Sequence, residues 1–239
     1  MRTLPESGYE VVHGVFSVEE IGRYCVEADR VASVAGSVCV RHLRARSDLF
    51  KALSFSERLL NLLPETFIPV RSILFDKTPD QNWPVAWHQD LTIAVAGTPV
   101  AGTPVAGKGA AEEYGPWSLK EGVVHVQPPV ALLEKMITLR VHLDETSCEN
   151  GALKVIPGSH RLGRIAGDSI ADLVDGSEVV CECRPGDVLL MSPLLLHSSS
   201  RSLTPSRRRI THFEYAHYQA LAKGLSWHEA IGDASSPAL

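Results

Sequence analysis

The feature that most constrains the fold is a succession of short strand-like segments between residues 67 and 215. Segments of this kind begin at Phe67 and at Ile137, and turns rich in glycine, proline or Asn-Gly separate the later ones, as at 149–151 and 184–187. Repeated short strands with turn residues between them are typical of β-sandwiches and β-barrels. We therefore predict a mainly β protein.

The region before these segments has a helical pattern. Ser17 and Glu20 match a capping box, and apolar residues follow at helical spacing to about Val34. A second helical region is expected over 47–63. Helices followed by short strands indicate a double-stranded β-helix, a jelly-roll or cupin-like barrel buttressed by N-terminal helices, with residues 1–239 as a single domain.

Three other segments carry structural expectations. The apolar run 188–196 is predicted to be one buried strand, and 220–230 is predicted to form a short terminal helix. A tandem Val-Ala-Gly-Thr-Pro repeat begins at Val95, and glycine and proline at this density cannot hold a helix or a central strand. We therefore expect a flexible loop at 95–109, which is either an inert insertion or a lid.

The motif Trp87-His88-Gln89-Asp90 carries the strongest chemical signal. In an extended strand His88 and Asp90 point to the same side, so that an imidazole nitrogen and a carboxylate oxygen can converge on one ion. A histidine from a distant strand would complete the 2-His-1-carboxylate group of non-heme Fe(II) oxygenases. The candidate is His197, which follows the apolar run. An H-x-D pair alone also occurs on ordinary surface strands.

The strand predicted at 137–143 has two unlike faces. Thr138, Arg140 and His142 occupy one face, and apolar residues occupy the other. Such a strand is either half solvated or lines a polar cavity. The pattern alone favours solvation.

Charge and cysteine content exclude several function classes. The formal net charge is −5, and the only basic block is 207–209, so we expect no nucleic-acid partner. The five cysteines form no C-x-x-C pair, which argues against a disulfide framework or a structural zinc site and favours a reducing compartment.

No apolar run approaches a membrane-spanning length and no signal-peptide core is seen, so the expected location is cytoplasmic. The oligomeric state is left open.

Four motifs together resemble the phytanoyl-CoA dioxygenase family of Fe(II)- and 2-oxoglutarate-dependent oxygenases. In chain order they are 87–91, 149–160, 184–187, and His197 followed by Arg208. The resemblance implies a jelly-roll fold, Fe(II) held by His88, Asp90 and His197, and 2-oxoglutarate and O₂ as co-substrates.

The resemblance also implies residues for the co-substrate. The distal carboxylate of 2-oxoglutarate would bind Arg208, whose guanidinium can grip a carboxylate through two parallel hydrogen bonds. That assignment depends on register, because a slip of one residue would turn Arg208 to the opposite face. Arg140 and Thr138 are further candidates for the co-substrate cavity. Lys77 is a weaker candidate, since a surface lysine is the more ordinary interpretation.

The implied reaction is hydroxylation or desaturation of a small molecule, with succinate and CO₂ as co-products. Halogenating relatives replace the carboxylate ligand with a small residue, whereas this chain retains Asp90. His125, Trp117 and His142 are candidate substrate contacts. Two alternatives remain open: a metal-dependent cupin-like enzyme without 2-oxoglutarate, and a non-catalytic jelly-roll binding module.

Overall fold

The computed structural model describes residues 4–96, 113–203 and 206–229. The α-helices within these residues are α1 Leu4–Ser7, α2 Val18–Ala35, α3 Leu43–Arg46, α4 Asp48–Ser54, α5 Glu57–Leu60, α6 Val130–Leu133 and α7 Ile170–Leu173. None of them is both long enough and apolar enough to cross a membrane.

Fourteen strands lie within the described residues. They are β1 Tyr9–Val12, β2 Cys39–Arg41, β3 Phe67–Lys77, β4 Val85–His88, β5 Ile93–Ala96, β6 Trp117–Lys120, β7 Val123–Val126, β8 Ile137–His142, β9 Leu153–Val155, β10 Val179–Cys181, β11 Val188–Met191, β12 His197–Ser199, β13 Arg208–His217 and β14 Ser226–Trp227.

The predicted N-terminal helices are confirmed. The side chain of Ser17 accepts a hydrogen bond from the Glu20 backbone, and the Glu20 carboxylate accepts one from the backbone of Ser17. Gly36 then ends α2 in the left-handed conformation, with φ of 60°. The second helical region contains the short helices α4 and α5.

Two sheets face each other and form the jelly roll. The larger has the strand order β1-β11-β8-β13-β3-β2, and the smaller has the order β10-β9-β12-β4. The outer face of the larger sheet packs on the N-terminal helices through a core that includes Ile21, Leu139 and Phe213. Its inner face is turned towards the smaller sheet. The predicted fold class is therefore confirmed.

A third sheet, with the order β14-β5-β7-β6, adjoins these two. It overturns the helix predicted at 220–230, because β14 pairs with β5 through Ser226–Ala96 and Trp227–Val95. The indole of Trp227 is buried in an apolar cluster with Ile93 and Val126, and this tertiary packing overrides a weak local helical pattern. Residue 230 lies outside the described residues.

Two other segment predictions need correction. The strand predicted at 188–196 ends at Met191, because Pro193 cannot donate to a strand ladder and Ser192 turns to bond the Gly8 carbonyl. The loop predicted at 95–109 starts too early, since Val95 and Ala96 belong to β5. Positions 97–109 lie outside the described residues.

Candidate metal centre and adjoining cavity

Two neighbouring strands of the smaller sheet bring the three predicted ligands together. His88 ends β4 and His197 begins β12, and the two residues are direct partners in the antiparallel register. Asp90 follows two residues after His88, and a hydrogen bond from its backbone to the Pro193 carbonyl fixes its position. The Nε2 atoms of both histidines lie 3.8 Å from the Asp90 carboxylate oxygens. The three ligand atoms all lie within 4.8 Å of one another.

Backbone carbonyls orient both imidazole rings. Nδ1 of His88 donates to the Ala86 carbonyl at 2.8 Å, and Nδ1 of His197 donates to the Leu195 carbonyl at 2.8 Å. Each Nε2 is therefore left with its lone pair facing Asp90. Metal-binding histidines are commonly held in this way by a carbonyl on the other ring nitrogen.

The protonation states of the group suit a cation. Burial alone would raise the pKa of Asp90, but the surrounding His197, His212, His88 and Arg71 together lower it to about 2. Burial lowers the pKa of His197 to about 4. At neutral pH the group therefore presents an ionised carboxylate and a neutral imidazole, the forms that bind metals.

A cavity of about 150 Å³ lies beside the three residues, between the two sheets. It is lined by Phe75, Lys77, Trp83, Val85, His88, Asp90, Arg140, Leu153, His197, Ser198, Ser199, Arg208 and His212. Residues from both sheets thus converge on one space. His88 keeps 39% of its side chain exposed, so the histidine side of the cavity is open.

Three cationic side chains line this cavity. Lys77, Arg140 and Arg208 are 3%, 8% and 4% exposed, and within the described residues none of them forms an ion pair with a carboxylate. Burial, with Arg140 as the second cause, lowers the pKa of Arg208 to about 10. Uncompensated buried charge is costly, so this arrangement indicates that an anion belongs in the cavity.

Unpartnered buried atoms mark the same places. Asp90 Oδ2, Arg140 Nε and Arg208 Nε are buried, and each lacks a hydrogen-bond partner among the described residues. Such atoms are rare in folded proteins unless a ligand or water completes them. A cation beside Asp90 and a carboxylate beside the two arginines would fit these donors and acceptors.

The structure places Arg208 in the register that the sequence analysis required. Its guanidinium turns into the cavity and donates to the Gly151 carbonyl. Arg207 and Arg209 turn to the opposite face, where they bind aspartates such as Asp76 and Asp144. Alternation from Arg207 into β13 therefore separates the inward Arg208 from its two outward neighbours.

The remaining predicted residues lie in different places. The polar face of β8 is not solvated, because Thr138, Arg140 and His142 are all buried; the interpretation favoured by pattern alone is wrong. Only Arg140 of these lines the cavity. Thr138 lies opposite Glu214 in the register, and His142 bonds the Thr146 hydroxyl.

The two candidate substrate residues beyond the metal-binding strand are not brought to the cavity. His125 on β7 is fully buried, and its Nδ1 donates to the Val123 carbonyl. Trp117 on β6 packs against the apolar cluster of the third sheet. Their proposed contact with substrate stays a prediction.

Strand β3 contributes more to the cavity than the sequence pattern indicates. Lys77 and Phe75 occupy alternate positions on that strand and both line the cavity. Their direct partners on β13 are Arg208 and Ile210. Because side chains alternate along a strand, Lys77 and Phe75 can be assigned to one face of β3 from the sequence. The pairing of β3 with β13, which makes that face a wall of the cavity, is not visible in the sequence.

The sequence model of the phytanoyl-CoA dioxygenase (PhyH) family matches residues 4–210. The chain belongs to the phytanoyl-CoA dioxygenase family. It is accordingly a non-heme iron, 2-oxoglutarate-dependent oxygenase, an oxidoreductase whose cofactor and co-substrates are Fe(II), 2-oxoglutarate and O₂. Membership favours this activity over the cupin-like enzyme without 2-oxoglutarate and over the binding module.

Solved structures share the fold. EctD from S. alaskensis in its apoform is 22% identical with a TM-score of 0.66, covering 90% of this chain and 75% of that one. HygX from Streptomyces hygroscopicus with nickel, 2-oxoglutarate and hygromycin B bound is 20% identical with a TM-score of 0.60, covering 89% and 84%. The α-ketoglutarate-dependent epimerase SnoN from nogalamycin biosynthesis is 20% identical with a TM-score of 0.62, covering 90% and 78%. No curated protein matches the chain by sequence.

Proposed function

We propose that the chain oxidises a small organic molecule by hydroxylation or desaturation, with succinate and CO₂ as co-products. His88, Asp90 and His197 would hold the iron, and the cavity beside them would hold 2-oxoglutarate. The observation that carries the proposal is the joining of two features in one space: three convergent metal-binding atoms, and three buried cations without a carboxylate partner.

The protein's own residues have separable tasks in this proposal. The Ala86 and Leu195 carbonyls fix the tautomers of the two histidines, so that each Nε2 is available for coordination. Arg208 would bind the distal carboxylate of the co-substrate, and Arg140 adds positive charge in the same cavity. When bound, the iron supplies the activation of O₂ that couples decarboxylation of the keto-acid to oxidation of the substrate.

Retention of Asp90 favours oxygen transfer or desaturation over halogenation. Its carboxylate occupies the place where halogenating relatives leave room for a halide. A small-molecule substrate fits the open side of a cavity of about 150 Å³ better than a folded macromolecule does. Structures of EctD with 5-hydroxyectoine and of HygX with hygromycin B agree with a substrate of this class.

Anaerobic titration with Fe(II) and then 2-oxoglutarate tests the cofactor assignment. We expect a visible absorption band that needs both additions. Exposure to O₂ should then release succinate, and a screen of small molecules should find compounds that stimulate the release. Absence of the band in the wild-type protein would contradict the assignment of the cavity to 2-oxoglutarate.

A further inference from the structure

Lys77 is the neighbour of Arg208 across the larger sheet. The two residues are direct partners in the pairing of β13 with β3, so their side chains project from the same face. Both line the cavity and both are almost fully buried. Like charges directly opposite each other destabilise a sheet, and within the described residues no carboxylate pairs with either one.

The local contacts of Lys77 leave part of its donor capacity free. Its Nζ donates to the Ser199 hydroxyl and to the Ser200 carbonyl, each at 3.2 Å. It also lies 5.4 Å from the centroid of the Trp83 ring. An ammonium has three donors, and these two hydrogen bonds direct the group towards the cavity wall formed by Ser199. Arg208 likewise keeps its Nε without a partner.

We propose that Lys77 and Arg208 form a two-cation clamp for the distal carboxylate of 2-oxoglutarate, and that Lys77 selects a dicarboxylate over a monocarboxylate keto-acid. The proposal rests on the proposed function, because it assumes that 2-oxoglutarate occupies this cavity. A carboxylate has two oxygens and about four acceptor positions, so it can accept from an ammonium and a guanidinium together. The clamp would relieve the repulsion between the two cations.

The electrostatic setting of Lys77 agrees with a ligand-dependent charge. Burial, followed by repulsion from Arg208 and Arg140, lowers the pKa of Lys77 to about 7. A bound carboxylate would favour the protonated form. Lys77 is therefore not a permanently charged structural residue, and its protonated form would be stabilised by a bound anion.

The test compares the binding of two keto-acids that differ only in the group at the distal end. 2-Oxopentanoate has the same keto-acid end as 2-oxoglutarate but carries a methyl group in place of the distal carboxylate. Both are titrated anaerobically into the Fe(II)-loaded enzyme, up to tens of millimolar for the weaker ligand, and dissociation constants are taken from the absorption band. This readout does not depend on turnover.

Lys77→Met should weaken binding of 2-oxoglutarate by about 10- to 100-fold, the range expected for a charge-assisted hydrogen bond, and should leave binding of 2-oxopentanoate unchanged. Lys77→Arg should restore most of the loss. Lys154→Met is the matched control, since Lys154 lies on β9 and does not line the cavity. That variant should bind both keto-acids as the wild type does.

Equal weakening of both keto-acids by Lys77→Met would overturn the proposal, because it would mean that Lys77 only supports Ser199 and Ser200 beside the metal centre. Unchanged binding of 2-oxoglutarate would overturn it as well. In both cases the wild-type band with 2-oxoglutarate remains, so the proposed function stands. If the wild type gives no band, the proposed function and the clamp fail together.

The double variant Lys77→Met/Arg208→Met tests independently whether the two side chains bind the same carboxylate. Two groups that bind the same carboxylate should lose less affinity together than the product of their separate losses. A loss equal to that product would contradict a shared carboxylate. Thermal unfolding of each variant shows that it is folded before titration.

Discussion

The three consecutive arginines at the start of β13 differ in how their charges are paired. On the outer face Arg207 and Arg209 are neutralised by Asp76, Asp144 and Asp29, at distances of 2.6 to 2.8 Å. On the inner face Arg208 is more deeply buried and forms no ion pair among the described residues. The outer arginines stabilise the fold, whereas the inner one holds an uncompensated charge whose natural partner is a ligand.

The largest effect is expected from a substitution of Asp90. Asp90→Ala should lower iron affinity and substrate-independent succinate release by more than about 100-fold, because even the outer-shell partners of metal ligands contribute 10- to 100-fold. Iron content after anaerobic loading and succinate assay measure these losses.

Asp29→Ala is the control for that variant, since the ion pairs of Asp29 within the described residues are with the outer-face Arg207 and Arg209 and its side chain is 50% exposed. It should load iron normally. Normal iron loading and turnover by Asp90→Ala would remove Asp90 from the metal centre.

The next largest effect is expected at Arg208, and the neighbouring Arg209 should respond differently. Arg208→Met should weaken 2-oxoglutarate binding by about 100-fold with little change in stability, because removing a buried cation that has no carboxylate partner offsets the lost hydrogen bond to the Gly151 carbonyl. Arg209→Met should leave 2-oxoglutarate binding unchanged but lower the free energy of unfolding by about 1–3 kcal/mol, because Asp144 loses both of its guanidinium hydrogen bonds. Titration and denaturant unfolding of both variants measure the contrast. The same pattern for both residues would refute the division between faces.

A smaller effect is expected at Gly151, whose carbonyl accepts from Arg208. Gly151 has φ of +77°, and a Cβ atom there would clash with the Ser200 carbonyl oxygen. Gly151→Ala should lower the free energy of unfolding by about 1–3 kcal/mol. Gly167→Ala is the control, since a methyl group at that position would meet no atom within 4 Å and the backbone φ there is ordinary. Equal unfolding midpoints for the two variants would contradict the close approach at Gly151.

The smallest effect is a pH dependence. Lys77 is charged below its pKa of about 7, so binding of a carboxylate above that pH requires uptake of a proton. Affinity for 2-oxoglutarate should therefore fall by about fivefold between pH 7 and pH 8 in the wild type. The fall should be absent in Lys77→Met and for 2-oxopentanoate. The charged and titratable groups that share the cavity with Lys77 are Arg208, Arg140, His88, Asp90, His197 and His212.

A fall of the same size in Lys77→Met would assign the pH dependence to another of these groups. His197 and Asp90 have pKa values of about 4 and about 2, so they do not change protonation between pH 7 and pH 8.

Local patterns in the sequence were sufficient for much of the fold. The capping box at Ser17 depends only on neighbouring residues, and α2 begins there as expected. The strand at 188–196 was predicted too long, because an apolar run does not reveal that Ser192 and Pro193 make a corner. The helix at 220–230 failed because the pairing of β14 with β5 is a long-range contact.

The candidate site shows the same limit. Spacing and alternation put His88 and Asp90 on one side of a strand, and motif order pointed to His197 and Arg208. The burial of the polar face of β8 could not be read from alternation, because a solvated face and a cavity wall have the same pattern. Lys77 was undervalued because its partner Arg208 lies more than a hundred residues away in the chain.

A crystal structure of the wild-type protein grown anaerobically with Fe(II) and 2-oxoglutarate would show both ligands in place. We expect one iron bound by Nε2 of His88, the Asp90 carboxylate and Nε2 of His197, with the distal carboxylate of 2-oxoglutarate between Arg208 and Lys77. Iron bound by any other set of side chains, or a distal carboxylate turned away from Arg208, would contradict this expectation.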